Sequence, residues 1–175
     1  AIRKRRRPER ILDLGCGTAV LAIAATLAAK RKTLATGIDP EAVRVTELNA
    51  ALNGVAPLLN GVTAPGLKHT RIAHGAPFDL IFANILARPL VALAHGLCNL
   101  LEPGGTIILS GLTRDQLRWV SAAYKVRGLI PTHVIKIENW VALAMKKTGI
   151  NAKRLEHGPR RSHIYTKAPG WERDI

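Results

Sequence analysis

The stretch ILDLGCGTAVLAIAA, residues 11–25, decides how the rest of the chain is read. ILDL is a short apolar run of the kind buried inside a sheet. GCGT is a turn rich in glycine, and from about Thr18 to Lys30 an Ala/Leu-rich segment has the composition of a helix. Strand, glycine turn and helix in that order open a β-α-β unit.

The alternation continues outward from there. TLATGID (33–39) is expected to be a second strand ending on an acid. Pro40, suited to the first turn of a helix, then starts PEAVRVTELNAALNG, with Val43, Leu48 and Leu52 as its apolar stripe and Asn53-Gly54 as its stop. A short strand is expected near 58–63, followed by a Gly/Pro-rich loop up to Pro77. FDLIFANI (78–85) is continuous apolar sequence of the type buried on both faces of a parallel sheet. RPLVALAHGLCNLL reads as a helix, EPGG as a turn and GTIILSG as a fifth strand. The segment from Thr113, the expected N-cap, to Gly128 is a further helix, and THVIKIENWVALAMKK is a pair of strands broken at Glu138-Asn139. A parallel connection needs a crossover, so the fold class is α/β: a Rossmann-like, doubly wound sheet of about seven strands, parallel except for an antiparallel C-terminal hairpin. By fold analogy this is the arrangement of class I S-adenosylmethionine (SAM) methyltransferases.

Composition narrows the setting. Of 175 residues, 47% are hydrophobic and 22% charged, as in an ordinary globular domain. No apolar run reaches the roughly eighteen residues of a membrane span, so no membrane association is expected. Cys16 and Cys98 have no metal-ligand or redox spacing; a reducing, cytoplasmic setting without a metal is the simplest reading. A chain that starts at Ala1 is expected to be a fragment or a processed form. The formal charge is +14 and uneven: residues 1–10 hold six Lys/Arg against one acid, and residues 146–175 eight against three. The expected organisation is therefore a basic N-terminal segment (1–10), a catalytic domain (11–147) and a basic tail (148–175). Such ends fit RNA or ribosomal-particle contact, or equally two solvated tails.

In an open α/β sheet the ligand sits beyond the carboxyl ends of the strands, beside the first one. Asp13, Gly15, Cys16, Gly17 and Thr18 occupy that place. Glycines let the backbone approach a ligand, and the helix N-terminus offers N–H groups to an anion. A dinucleotide site needs G-x-G-x-x-G, and here Val20 stands at the third glycine. That removes NAD as the leading cofactor and leaves a ligand carrying a carboxylate and an amine, such as the methionine end of SAM, or a plain tight turn. Asp39 either accepts from ribose hydroxyls or caps the helix that starts at Pro40. Asn84, closing an apolar strand, either caps a loop or faces a ligand. Its carbonyl, with the backbone carbonyls of Ala83 and Ile85, could take the N–H bonds of an acceptor amine and leave the lone pair free for methyl transfer. A lysine amine is mostly protonated at neutral pH, so the site must favour the neutral form.

LDLGCGTAVLAIAA, IDPEAV, NAALNGV, DLIFANILARPL, LEPGG, LSGL and ENWVAL, in this order and spacing, resemble the PrmA family, the methyltransferases of ribosomal protein L-eleven. The resemblance covers about residues 8–146. It implies a SAM-dependent N-methyltransferase acting on lysine or N-terminal amino groups of a ribosomal protein. It also implies that Gly15 and its turn hold the cofactor and that Asn84 lies between cofactor and substrate amine. Arg88, Pro89 and Ser110 fall at structural or cleft-lining positions, and Trp140 in the final hairpin is expected to be a core aromatic. Two departures stand out. Ala19 replaces a glycine of the family's G-T-G-V, which is expected to bring a Cβ into the cleft. Gly37 replaces the first acid of D-I-D-P, leaving Asp39 as the second. The family's N-terminal substrate-recognition domain lies outside this sequence. The alternatives are a degenerate module that binds SAM weakly or without catalysis, and an RNA methyltransferase. The second is disfavoured because Ile85-Leu86 offers no aromatic to stack on a base.

Overall fold

The computed structural model describes residues 8–149. ILDL forms β1 (Ile11–Leu14), buried along its whole length as an apolar run flanked by strands should be. The chain reaches it through Glu9 and Arg10, whose amides both donate to the Asp79 carboxylate at 2.9–3.2 Å. The elements that follow are α1 (Val20–Ala29), β2 (Thr33–Gly37), α2 (Pro40–Leu52), β3 (Leu59–Thr63), α3 (Thr70–Gly75) and β4 (Phe78–Asn84). They are completed by α4 (Ala87–Leu100), β5 (Leu101–Thr113), α5 (Leu117–Lys125), β6 (Leu129–Ile137) and β7 (Trp140–Lys147).

These strands form one seven-stranded sheet in the order β3-β2-β1-β4-β5-β7-β6. β1 to β5 are parallel; β7 runs antiparallel between β5 and β6. The expected doubly wound sheet with a terminal hairpin is what the chain builds. Alternation along β1 divides the core. Leu12 and Leu14 face a large cluster with Ile72, Leu90, Leu97, Val120 and Tyr124, contributed by α3, α4 and α5. On the opposite face Ala22 and Ile23 of α1 and Ala50 of α2 pack over Ala35 and Leu59. The Tyr124 hydroxyl, deep in the larger cluster, donates to the Leu90 carbonyl at 2.9 Å, so its polar atom is satisfied.

Four local expectations are corrected. The stretch between β3 and β4 contains α3, one short turn of helix started by His69, whose Nδ1 accepts from the Arg71 amide. The inward stripe of α2 is Val43, Thr46 and Ala50; Leu48 and Leu52 are exposed, because a 3.6-residue period sets the face and not hydrophobicity alone. EPGG lies within β5. Thr113 is the last residue of that strand, paired with Trp140, and its hydroxyl bonds Asp115 instead of capping α5, whose N-cap is Gln116. Gly128, at φ +81°, stands in the turn three residues past the end of α5, whose C-cap is Val126. Residues 1–7 of the basic N-terminal segment, and all of the basic tail beyond Gly149, lie outside the described residues.

A two-chambered cleft around Asn84

The turn after β1 is shaped by the carbonyl of Thr36, which accepts from both the Gly15 and Cys16 amides at 2.7 and 2.9 Å. Gly15, Gly17 and Ala19 all adopt left-handed backbone, at φ +74°, +54° and +65°. The alternation lifts the chain off the strand and drops it into α1. Two residues of α2 brace it: Thr46 Oγ1 donates to the Gly17 carbonyl, and Asn49 Nδ2 to that of Thr18. Neither stood out in the sequence, since a polar residue on an amphipathic helix carries no mark of what it meets.

A cavity of about 260 Å³ opens above this turn, lined by the expected Asp13, Gly15, Cys16, Gly17 and Thr18, together with Val20, Leu21 and Asn84. A Cβ on Gly17 would meet nothing within 4 Å, so the backbone there faces open space. Ala19 does not line the cavity. Its methyl is wholly buried in the cluster under α1, which corrects the expectation that it would intrude on the cleft.

Asp13 does the capping that Ala19 cannot. Its Oδ2 accepts from the amide of Ala22 in the first turn of α1 at 3.0 Å, while Oδ1 is buried with no hydrogen-bond partner among the described residues. Burial, opposed by the Ala22 bond, pushes its pKa up to about 6 from an ordinary 3.8. Below pH 4 the carboxyl is neutral in both folded and unfolded chains. Between about 4 and 6 only the unfolded chain ionises, and above 6 both do. Stability should therefore fall as pH rises through that window, by about 3 kcal/mol for two pKa units, and then level off. Urea melts of the ligand-free protein at pH 4 to 7 would show this slope, and Asp13→Asn would flatten it.

Burial likewise raises the Cys16 thiol, opposed by its hydrogen bond with Thr46 and reinforced by the Asp13 charge. The sulfur lies 3.4 Å from Thr46 Oγ1.

Neither Gly37 nor Asp39, both expected at the cofactor site, lines this cavity. Asp39 is the N-cap of α2, its Oδ1 accepting from the Glu41 amide at 2.9 Å. Gly37 is buried at the end of β2, and a Cβ placed on it would touch Val43 and Cys16 only at ordinary contact distances of 3.5 and 3.7 Å.

Asn84, the exposed last residue of β4, lines a second chamber as well. This one, about 520 Å³, is mostly apolar: Ile85, Leu86, Ile135, Ile137 and Trp140 surround it, with Ser110 and Gly111 at its floor. Trp140 is 59% exposed and lines the chamber, where a core role had been expected. The hairpin that carries it is tied down by Arg114, which bonds the Glu138 and Asn139 carbonyls through its side chain and its amide. Arg88 and Pro89 stand in the first turn of α4, outside both cavities. Among the described residues no group of three His, Cys, Asp or Glu is placed to hold a metal.

Asn84 thus joins a small polar cleft, with Asp13 in its wall, to a larger apolar chamber. The model of the family described as ribosomal protein L11 methyltransferase (PrmA) matches residues 2–148.

The chain belongs to that family.

Among its relatives, the ribosomal protein L11 methyltransferase of Bradyrhizobium diazoefficiens is 47% identical over 146 residues, 83% of this chain and 50% of the relative. That of Brucella suis is 49% identical over 139 residues, 79% of this chain and 49% of the relative. A solved structure of the ribosomal protein L11 methylase from Lactobacillus delbrueckii subsp. bulgaricus superposes with a TM-score of 0.75 at 30% identity, covering 83% of this chain and 73% of that one. The chain thus spans about half the length of the curated PrmA relatives it matches.

Proposed function

We propose that this PrmA-family domain is a SAM-dependent N-methyltransferase that transfers methyl groups to lysine or N-terminal amino groups of a ribosomal protein. The observation that carries the reading is the position of Asn84, shared by the polar cleft and the apolar chamber. The residues of the polar cleft fit the amino-acid end of SAM. The unpartnered Oδ1 of Asp13 would accept from its ammonium. The amides of Gly17 and Thr18, at the start of α1 and beside open space, would meet its carboxylate. When bound, SAM supplies an electrophilic methyl on a sulfonium whose leaving group is a neutral thioether that needs no proton.

The acceptor amine would come from the other side. An apolar surround disfavours an ammonium, lowering its pKa from a reference of about 10.4 toward the neutral, nucleophilic form. The Asn84 carbonyl, with the backbone carbonyl of Ile85, would take the amine's two N–H bonds and aim its lone pair along the line of displacement; Ala83, also expected to contribute, is wholly buried and lines neither chamber. Positioning of this kind carries most of the rate in such a transfer. The reaction would take place in the cytoplasm, and the charged ends would draw the domain toward the RNA of the ribosomal particle bearing its substrate. Transfer of labelled methyl from SAM to a single protein of a ribosome preparation tests the reading. Label appearing only in RNA, or nowhere despite SAM binding, would overturn it in favour of an RNA methyltransferase or a non-catalytic module respectively.

Gly37 bears on affinity. With no side chain there and Asp39 engaged by α2, the ribose hydroxyls would lack the acid that usually ends the second strand. Gly37→Asp should tighten SAM binding about tenfold to a hundredfold, the effect of a charge-assisted pair of hydrogen bonds, and the Cβ contacts leave room for it. Calorimetric titration measures this, and unchanged affinity would mean that the ribose is held from elsewhere.

A further inference from the structure

β4 and β5 run in parallel register, with Asn84 opposite Ser110. One residue further on, β5 breaks register with its other neighbour: Leu109 pairs with Leu143 but Leu112 with Val141, so three steps along β5 match two along β7. The extra residue makes a bulge, and Gly111 sits in it at φ +77°. A Cβ on Gly111 would come within 2.7 Å of the Ile85 carbonyl oxygen and 3.1 Å of Asn84 Oδ1. From the opposite side, a Cβ on Gly15 would overlap Ile85 Cγ2. The end of β4 therefore passes between two left-handed glycines, one from the turn after β1 and one from the bulge in β5.

We infer that Gly111 is a positioning residue for methyl transfer: the bulge lets β5 close on the end of β4 and thereby sets where the Asn84 amide stands between the two chambers. The inference builds on the proposed role of Asn84. Bulges commonly re-aim a neighbouring side chain beside an active site, and only glycine leaves room for the backbone and amide oxygens packed here. Simple accommodation of the turn of the chain would require the positive φ but not the close approach. Gly104 separates these two properties. It lies on the same strand at φ +84°, yet a Cβ there would meet nothing within 4 Å. Alanine at 104 therefore imposes the same kind of backbone strain without touching Asn84.

The test compares Gly111→Ala with Gly104→Ala and reads the side-chain amide resonances of Asn84, assigned by their loss in Asn84→Asp. Gly111→Ala should shift them strongly and Gly104→Ala leave them in place. In the unaltered protein, nuclear Overhauser contacts between the Gly111 α-protons and the Asn84 amide should be present, which decides the packing even if Gly111→Ala fails to fold. In methyl-transfer assays Gly111→Ala should lose about ten- to a hundredfold in kcat, on the order of what slight misplacement of a reacting group costs, with KM for SAM little changed. Gly104→Ala should keep the kcat of the parent. Equal resonance shifts in the two alanine variants, or no contact in the parent, would overturn the inference. A parent that binds SAM but methylates no protein would instead overturn the proposed function, and the spectra would still decide the role of Gly111.

Discussion

Gly15→Arg should abolish SAM binding, with no heat in calorimetric titration at ligand concentrations that saturate the parent. Gly15 holds φ at +74°, a region that costs a residue with a side chain about 1–2 kcal/mol. Its Cβ would overlap Ile85 Cγ2, so the first carbon alone must displace a neighbour before the guanidinium is placed. The remainder of the side chain would fill the 260 Å³ cavity that Gly15 helps to line. Overpacking of this sort typically costs a further 1–3 kcal/mol, a large share of the 5–15 kcal/mol by which a domain is stable. Gly15→Ala is therefore the companion variant. It should stay folded by circular dichroism yet bind SAM at least about tenfold more weakly, since it moves the turn without filling the cleft. Gly54→Ala, with φ at +67° and open space around the added methyl, should keep full affinity. Undiminished binding by Gly15→Arg would place the cofactor elsewhere on the molecule.

Asn84→Ala should lower kcat for methyl transfer by about a hundredfold or more, on the order of the loss when one positioned polar contact is removed from an active site, while SAM affinity changes little. The asymmetry follows from the geometry. The cleft that would hold the cofactor keeps Asp13, the glycine turn and the start of α1, whereas the acceptor amine loses the one side chain that, among the described residues, lines both chambers. Asn84→Asp gives a sharper reading. It keeps an acceptor oxygen at the same place but adds a negative charge, which favours the ammonium over the amine. Its activity should be depressed near neutral pH and recover at higher pH, moving the rising limb of the rate profile to higher pH than in the parent. A kcat equal to the parent's in Asn84→Ala would remove the side chain from the mechanism.

Much of this architecture is legible in the sequence because it is written locally. The period of the apolar residues separates strands from helices, Asn53-Gly54 and Gly128 punctuate them, and the hairpin between β6 and β7 follows from two strands with no room for a helix between. The glycine turn could be placed at the cleft for the same reason: it immediately follows a strand whose neighbours are all parallel. What escaped depends on contacts distant in sequence. The roles of Thr46 and Asn49 exist only because α2 lies against the turn after β1. Trp140 looked like a core aromatic, yet the hairpin presents it to a chamber that no single segment defines. Gly111 did leave a signal, a lone glycine inside the strand pattern IILSGL, which marks a bulge or a close backbone approach. Read simply as the end of a strand, it concealed the contact with Asn84.

The direction of β7 has a consequence for how the domain can be held. Because β7 runs against the parallel strands, it finishes where they begin: Lys147 reaches the Leu101 carbonyl at the start of β5, and the amides before β1 are fixed to Asp79 at the start of β4. The chain thus joins and leaves the described sheet on one side, about 20 Å from the cleft for strands of this length. Ten of its fourteen net positive charges are attached at those two ends. A hold taken on the sheet at that side would leave the cleft at the far ends of the strands open, facing outward, to whatever amine is brought before it.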